Sequence, residues 1–218
     1  MSAVWYGIVP ATVEQMLKFL QVEEVSNLSG KISLPHLIRT SQTTKARLLH
    51  YFPPPPSMNL PWDDPLDSWC GFHLDHSLLT GLCSVRFFLE RMNFLPFDTS
   101  KAMYLKANDG AEPTVVSSPS PASGLYIRNR GGDLIKVSIP TDCLAFQTGE
   151  ALEIATGGKL LATPHCVRVG GGLRTERVSR ETFALFMQPN TDQPLSTSIT
   201  FGEFSKRVFN NHYGSGLM

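Results

Sequence analysis

The chain has 218 residues, 42% hydrophobic and 17% charged, which suits one globular domain and excludes a disordered chain. Its 19 Lys and Arg balance its 19 Asp and Glu, so no global field steers it onto nucleic acid or anionic membrane. Four cysteines with no CxxC pair argue against a disulfide framework or a zinc finger, and no apolar run approaches the roughly 18 residues of a membrane helix. The N-terminus lacks a basic stretch followed by an apolar one, the mark of a secretory signal. A reducing compartment and a cytoplasmic location are expected.

Residues 11–25 carry apolar side chains at Val13, Met16, Leu17 and Leu20, which predicts an amphipathic helix. Thr12 is its N-cap, with Gln15 three positions on. Arg47 to Phe52 reads as a strand ended by the turn Pro53 to Pro56. Residues 71–84 read as a second strand region, and 86–95 as a short helix. The Ser-, Pro-, Asn-, Asp- and Gly-rich stretch 107–123 reads as a long loop. Short strands follow at 125–127, 134–139, 144–147, 160–169 and 181–187, with Gly-containing turns between several of them. That spacing argues for a sandwich or barrel. Residues 201–213 predict a closing helix.

The chemistry begins at His73-Leu74-Asp75. Residues i and i+2 of a strand share a face, so an imidazole and a carboxylate would project side by side. These are two of the three ligands of a 2-His-1-carboxylate triad, a set that leaves positions open on iron. Of the six histidines, His165 is the best placed to be the third, near the start of a late strand. Farther on, Arg177 and Ser179 share a face of an extended chain. A planar guanidinium fork beside a hydroxyl suits the distal carboxylate of a dicarboxylic keto acid. Arg174 and Arg180 read as solvated, His76 as turned away from the site, and Trp62, Trp69 and Phe72 as packing residues.

These segments resemble a known family. His73-Leu74-Asp75-His76-Ser77-Leu78-Leu79-Thr80-Gly81-Leu82 is similar to the HxDxSxLTxL segment of 2-oxoglutarate/Fe(II) dioxygenases related to isopenicillin N synthase. Gly149 to Gly158 resembles their strand and turn before the distal histidine. Arg177-Val178-Ser179, then Phe183 to Pro189, resembles their RxS…F…P ending. The resemblance covers about residues 45–213. It implies an all-β core, a double-stranded β-helix (jelly roll) with flanking α-helices, preceded by a helical segment over 1–44. It implies Fe(II) on His73, Asp75 and His165, and 2-oxoglutarate on Arg177 and Ser179. The implied reaction is oxidation of a small-molecule substrate with O2, most simply hydroxylation.

The sequence departs from that pattern in three places. The stretch between Asp75 and His165 is long, which predicts an inserted loop at about 84–122. Where many members carry Asn-x-Tyr, this chain has His50-Tyr51-Phe52, so Tyr51 is the candidate phenol for 2-oxoglutarate. Members also carry more chain before this core. Two other readings stand beside the dioxygenase. One is a jelly-roll binding module that has lost catalysis. The other is a dinuclear zinc hydrolase, because Gly71 to His76 is HxHxDH with Gly in place of the first His.

Overall fold

The computed structural model describes residues 24–27, 30–53, 69–84, 104–108, 110–116, 118, 120–140, 143–168 and 178–213. The predicted helices at 11–25 and 86–95 fall outside these, apart from the last two residues of the first.

The described part of the N-terminal segment, expected to be helical, opens with a hairpin of β1 (Glu24–Asn27) and β2 (Gly30–Ser33). Helix α1 (Leu34–Thr40) follows, with Pro35 in its first turn, where the missing N–H has no intrahelical partner to lose.

A six-stranded sheet then carries most of the chain. It runs β10 (Ala145–Thr148), β5 (Leu79–Ser84), β12 (Val178–Met187), β6 (Tyr104–Asn108), β7 (Ala111–Val116), with β3 (Lys45–Tyr51) on the other edge of β12. A four-stranded sheet runs β4 (Cys70–His73), β11 (His165–Arg168), β8 (Gly124–Arg128), β9 (Leu134–Val137). Every pairing is antiparallel. Among the described residues no strand pairs one sheet with the other, so the two do not close into a barrel. This is the expected jelly-roll core with flanking helices.

Two expectations change. The polar stretch 107–123 is no plain loop, because it contributes β7 and the end of β6. The chain reverses at Gly110, which sits at φ 73°. Gly takes that conformation without a Cβ penalty. Polar composition hid the hairpin. Residues 150–155, expected as strand and turn, form helix α2 (Glu150–Ala155). Glu, Ala and Leu are strong helix formers, and Ala151 and Leu152 bury completely.

The core lies on the outer face of the larger sheet. Phe183 and Cys83 pair across strands, as do Met187 and Leu79, so with Leu185 they share one face. Leu34, Leu37 and Ile38 of α1 and Leu152 of α2 join the same cluster. So do Phe201 and Phe204 of α3 (Phe201–Tyr213). Helix α3 starts on a capping box: Thr200 N–H donates to Glu203 Oε2 at 2.8 Å, and Glu203 N–H donates to Thr200 Oγ1 at 3.3 Å. The inner face of the same sheet takes the opposite parity, and there the sheet turns from apolar to chemical.

Candidate metal centre

His73 ends β4 and His165 begins β11, and the two are register partners. Pairing puts their rings on one face, with centroids 4.1 Å apart. Each ring is set by the carbonyl two residues before it: His73 Nδ1 lies 2.8 Å from Gly71 O, and His165 Nδ1 lies 3.0 Å from Thr163 O. A carbonyl only accepts, so a proton on each Nδ1 would leave each Nε2 its lone pair for a metal. Both Nε2 atoms face Asp75 Oδ1, at 3.9 Å from His73 and 3.8 Å from His165.

Asp75 reaches the site by a route the sequence did not suggest. It does not share a strand with His73, because β4 ends at His73. Asp75 sits in the following loop, whose backbone is held by α2: Glu150 N–H donates to Asp75 O at 2.8 Å. The carboxylate and His165 are buried, while His73 keeps 40% of its side chain exposed, so the site opens on the β4 side.

One ligand atom from each of His73, Asp75 and His165 can be chosen so that all lie within 4.8 Å of one another. Donors each about 2.1 Å from a shared octahedral ion stand about 3 Å apart at right angles. Asp75 Oδ1 stands within about 1 Å of that spacing from both Nε2 atoms, so a modest closure makes one face of such an ion. Two imidazoles and a carboxylate fit a borderline divalent metal, which would displace any proton on the ligating nitrogens. Burial pushes His165 below the usual imidazole range, with the Asp75 charge opposing. His73 goes the other way, up to about 9, because its hydrogen bond with Cys70 outweighs its burial.

Gln147, which sequence reasoning missed, joins two of the ligands. Its amide nitrogen donates to Asp75 Oδ2 at 3.0 Å and lies against the His165 ring, 2.8 Å from Nδ1 and 3.2 Å from Nε2. It sits on the inner face of β10, paired with Thr80.

Of the residues expected to take the keto acid, Ser179 and Tyr51 fall among the described residues. Arg177 lies outside the described residues. Ser179 shares parity with Phe183 and so faces outward, where its hydroxyl donates to Glu181 Oε1 at 2.8 Å. Glu181 also meets His50 Nδ1 at 2.7 Å. The inner-facing residues of β12 are Arg180 and Thr182. Arg180, expected to be solvated, is 6% exposed and lays its guanidinium 5.3 Å from the Tyr51 ring centroid. Thr182 is equally buried, and its Oγ1 is the one buried side-chain polar atom without a partner among the described residues. Tyr51 also faces inward, where burial raises its phenol pKa against the pull of Arg180. Trp69 closes this end, 6.0 Å from Tyr51 and 6.4 Å from Tyr104. The apolar parity Phe183–Leu185–Met187 was the signal that could have revealed Arg180 and Thr182.

The fold resembles that of solved oxygenases. A candidate oxygenase from Shewanella oneidensis superposes over 99% of this chain and 64% of its own, with a TM-score of 0.60 and 18% identity. A candidate 2OG-Fe(II) oxygenase family protein from Caulobacter crescentus covers 95% of this chain and 56% of its own, with a TM-score of 0.57 and 18% identity. The dioxygenase for auxin oxidation in rice covers 95% and 55%, with a TM-score of 0.53 and 14% identity. No protein-family model matches the sequence. By sequence the chain is 32% identical to UPF0676 protein C1494.01 of Schizosaccharomyces pombe over 108 residues, 43% of this chain and 32% of the relative. The chain thus spans about a third of that relative's length, and somewhat under two thirds of the Shewanella protein's.

Proposed function

We propose that the protein oxidises a small organic substrate, by hydroxylation, using Fe(II), 2-oxoglutarate and O2. The observation that carries this reading is the convergence of His73 Nε2, His165 Nε2 and Asp75 Oδ1 on one point of a jelly-roll lumen. The buried Arg180 and the unpartnered Thr182 hydroxyl support it from the same lumen.

When bound, Fe(II) with 2-oxoglutarate supplies O2 activation coupled to decarboxylation of the keto acid to succinate and CO2. His73, Asp75 and His165 would hold the metal on one face. Arg180 and Thr182, in place of the expected Arg177 and Ser179, would take the distal carboxylate of 2-oxoglutarate. The guanidinium offers two parallel N–H donors and the hydroxyl a third. Tyr51, paired with Arg180 across the strands, would hold the guanidinium in place, and Trp69 would exclude water from that end. No helix among the described residues is long and apolar enough to cross a membrane, and we place the activity in the cytoplasm with no nucleic-acid partner. The dinuclear zinc reading is disfavoured by His76, whose Nδ1 turns to Glu150 Oε2 at 2.6 Å.

Succinate release tests the reading. In air, with Fe(II), ascorbate and 2-oxoglutarate, the protein should form succinate slowly even without its substrate and faster when a substrate panel supplies it. His165→Ala should form none. An iron-loaded, folded protein that releases no succinate across the panel would favour the binding module.

A further inference from the structure

The loop that carries Asp75 lies between β4 and β5, outside both ladders, yet its carboxylate must be placed to a fraction of an ångström. Its anchors come from the start of α2. Glu150 N–H donates to Asp75 O at 2.8 Å, Gly149 N–H donates to Leu78 O at 3.0 Å, and Leu78 N–H donates to Met187 O at 2.9 Å. Gly149 is pressed so close that a Cβ there would stand 2.1 Å from Ser77 O and 2.8 Å from Asp75 O. Glu150 grips a second, consecutive loop position: its carboxylate accepts from His76 Nδ1 at 2.6 Å. The His76 ring in turn meets Phe204 of α3 edge-on, with centroids 5.9 Å apart.

We propose that His76 and Glu150 are positioning residues for the metal, a latch that fixes the Asp75 carboxylate without touching the ion. Residue 75 is held by its carbonyl and residue 76 by its side chain, both to Glu150. Swinging Asp75 out of the ligand triangle therefore breaks the latch. With the side-chain link removed, the loop keeps its backbone bonds to Gly149 and Glu150 but residue 76 is released, and the setting of the adjoining Asp75 carboxylate loosens. Partners that orient a ligand without binding the metal typically change affinity by about 10–100-fold. A half-exposed pair one bond removed from the ligand belongs at the lower end of that range. This inference rests on the proposed metal site and adds to it the two residues that set its carboxylate.

The test is titration of the full chain with Co(II), whose visible bands report ligand geometry in place of Fe(II). Glu150→Ala and His76→Ala should each weaken Co(II) binding about tenfold and shift those bands. The double variant should lose little more than either single one, because the two residues act as one unit. Glu150→Gln, which still accepts from His76, should recover most of the affinity. Singles that bind within twofold of wild type with unchanged bands would overturn the latch and leave the metal site standing. Losses that simply add in the double variant would also overturn it. A wild-type chain that binds no Co(II) would overturn the metal site itself and the latch with it. His76 is 40% exposed at its side chain, so His76→Ala carries the test should Glu150→Ala fold poorly.

Discussion

Arg180 places its guanidinium carbon 5.3 Å from the Tyr51 ring centroid, on the inner face of the larger sheet. The two are register partners on β12 and β3, so the contact is built into the strand pairing. A buried guanidinium held in this way is pre-oriented for a carboxylate. Hydrogen bonds to charged groups contribute about 1.5–3 kcal/mol. Arg180→Ala is therefore expected to weaken 2-oxoglutarate binding by about 10–100-fold, and Thr182→Val by several-fold with little loss of fold stability. Ser179→Ala, on the outward face, should leave the affinity unchanged. Calorimetric titration of 2-oxoglutarate into the metal-loaded protein checks all three. A large loss in Ser179→Ala with none in Arg180→Ala would restore the assignment first read from the sequence.

Gln147 holds Asp75 and His165 together in the metal-free chain, and a metal would take over that task. Gln147→Leu strands a buried carboxylate, which costs about 1–3 kcal/mol. The variant's Tm should fall without metal, and the gap to wild type should narrow when saturating Co(II) supplies a new partner. Thermal melts of both proteins with and without metal measure this. An equal gap in both conditions would assign Gln147 to the fold alone.

Burial pushes the Cys83 thiol up to about 12, whereas Cys143 is exposed. At pH 8 iodoacetamide should label Cys143 in the folded protein and reach Cys83 only on unfolding. The same shift sets a pH dependence. The unfolded chain ionises Cys83 at about 8.5, while the folded chain keeps it protonated to about 12. This contribution to stability is complete below about pH 8.5 and is lost as pH rises toward 12. Peptide mapping after timed labelling, together with urea melts at pH 8 and 10, checks both parts. Labelling of Cys83 in the folded chain at a rate like that of Cys143 would contradict them.

How much was legible in the sequence follows from what each feature depends on. His73 and His165 were readable because short motifs near strand ends survive errors of a residue or two. Asp75 was found for a partly wrong reason: the i, i+2 rule assumes a strand, and β4 stops at His73. The carboxylate arrives through a loop whose shape is dictated by Gly149 and Glu150, distant in sequence. The burial of Arg180 was missed on parity. A strand read one residue out of phase exchanges its two faces, which separates Ser179 from Thr182 and a solvated Arg180 from a buried one. The apolar alternation of Phe183, Leu185 and Met187 held the phase but was read only as part of the motif's ending. Gln147 carried no signal, because an amide in a strand has no chemistry until its neighbours are known. The β6–β7 hairpin was hidden by polar composition, although Asp109-Gly110 is a turn signal between two strand-like runs.

The most direct measurement of the central claim is the anaerobic visible spectrum of the protein with Fe(II) and 2-oxoglutarate. A weak charge-transfer band should appear when both are present, vanish in His165→Ala, and require higher 2-oxoglutarate in Arg180→Ala. A folded, iron-loaded wild-type protein that shows no band at saturating 2-oxoglutarate would contradict the account.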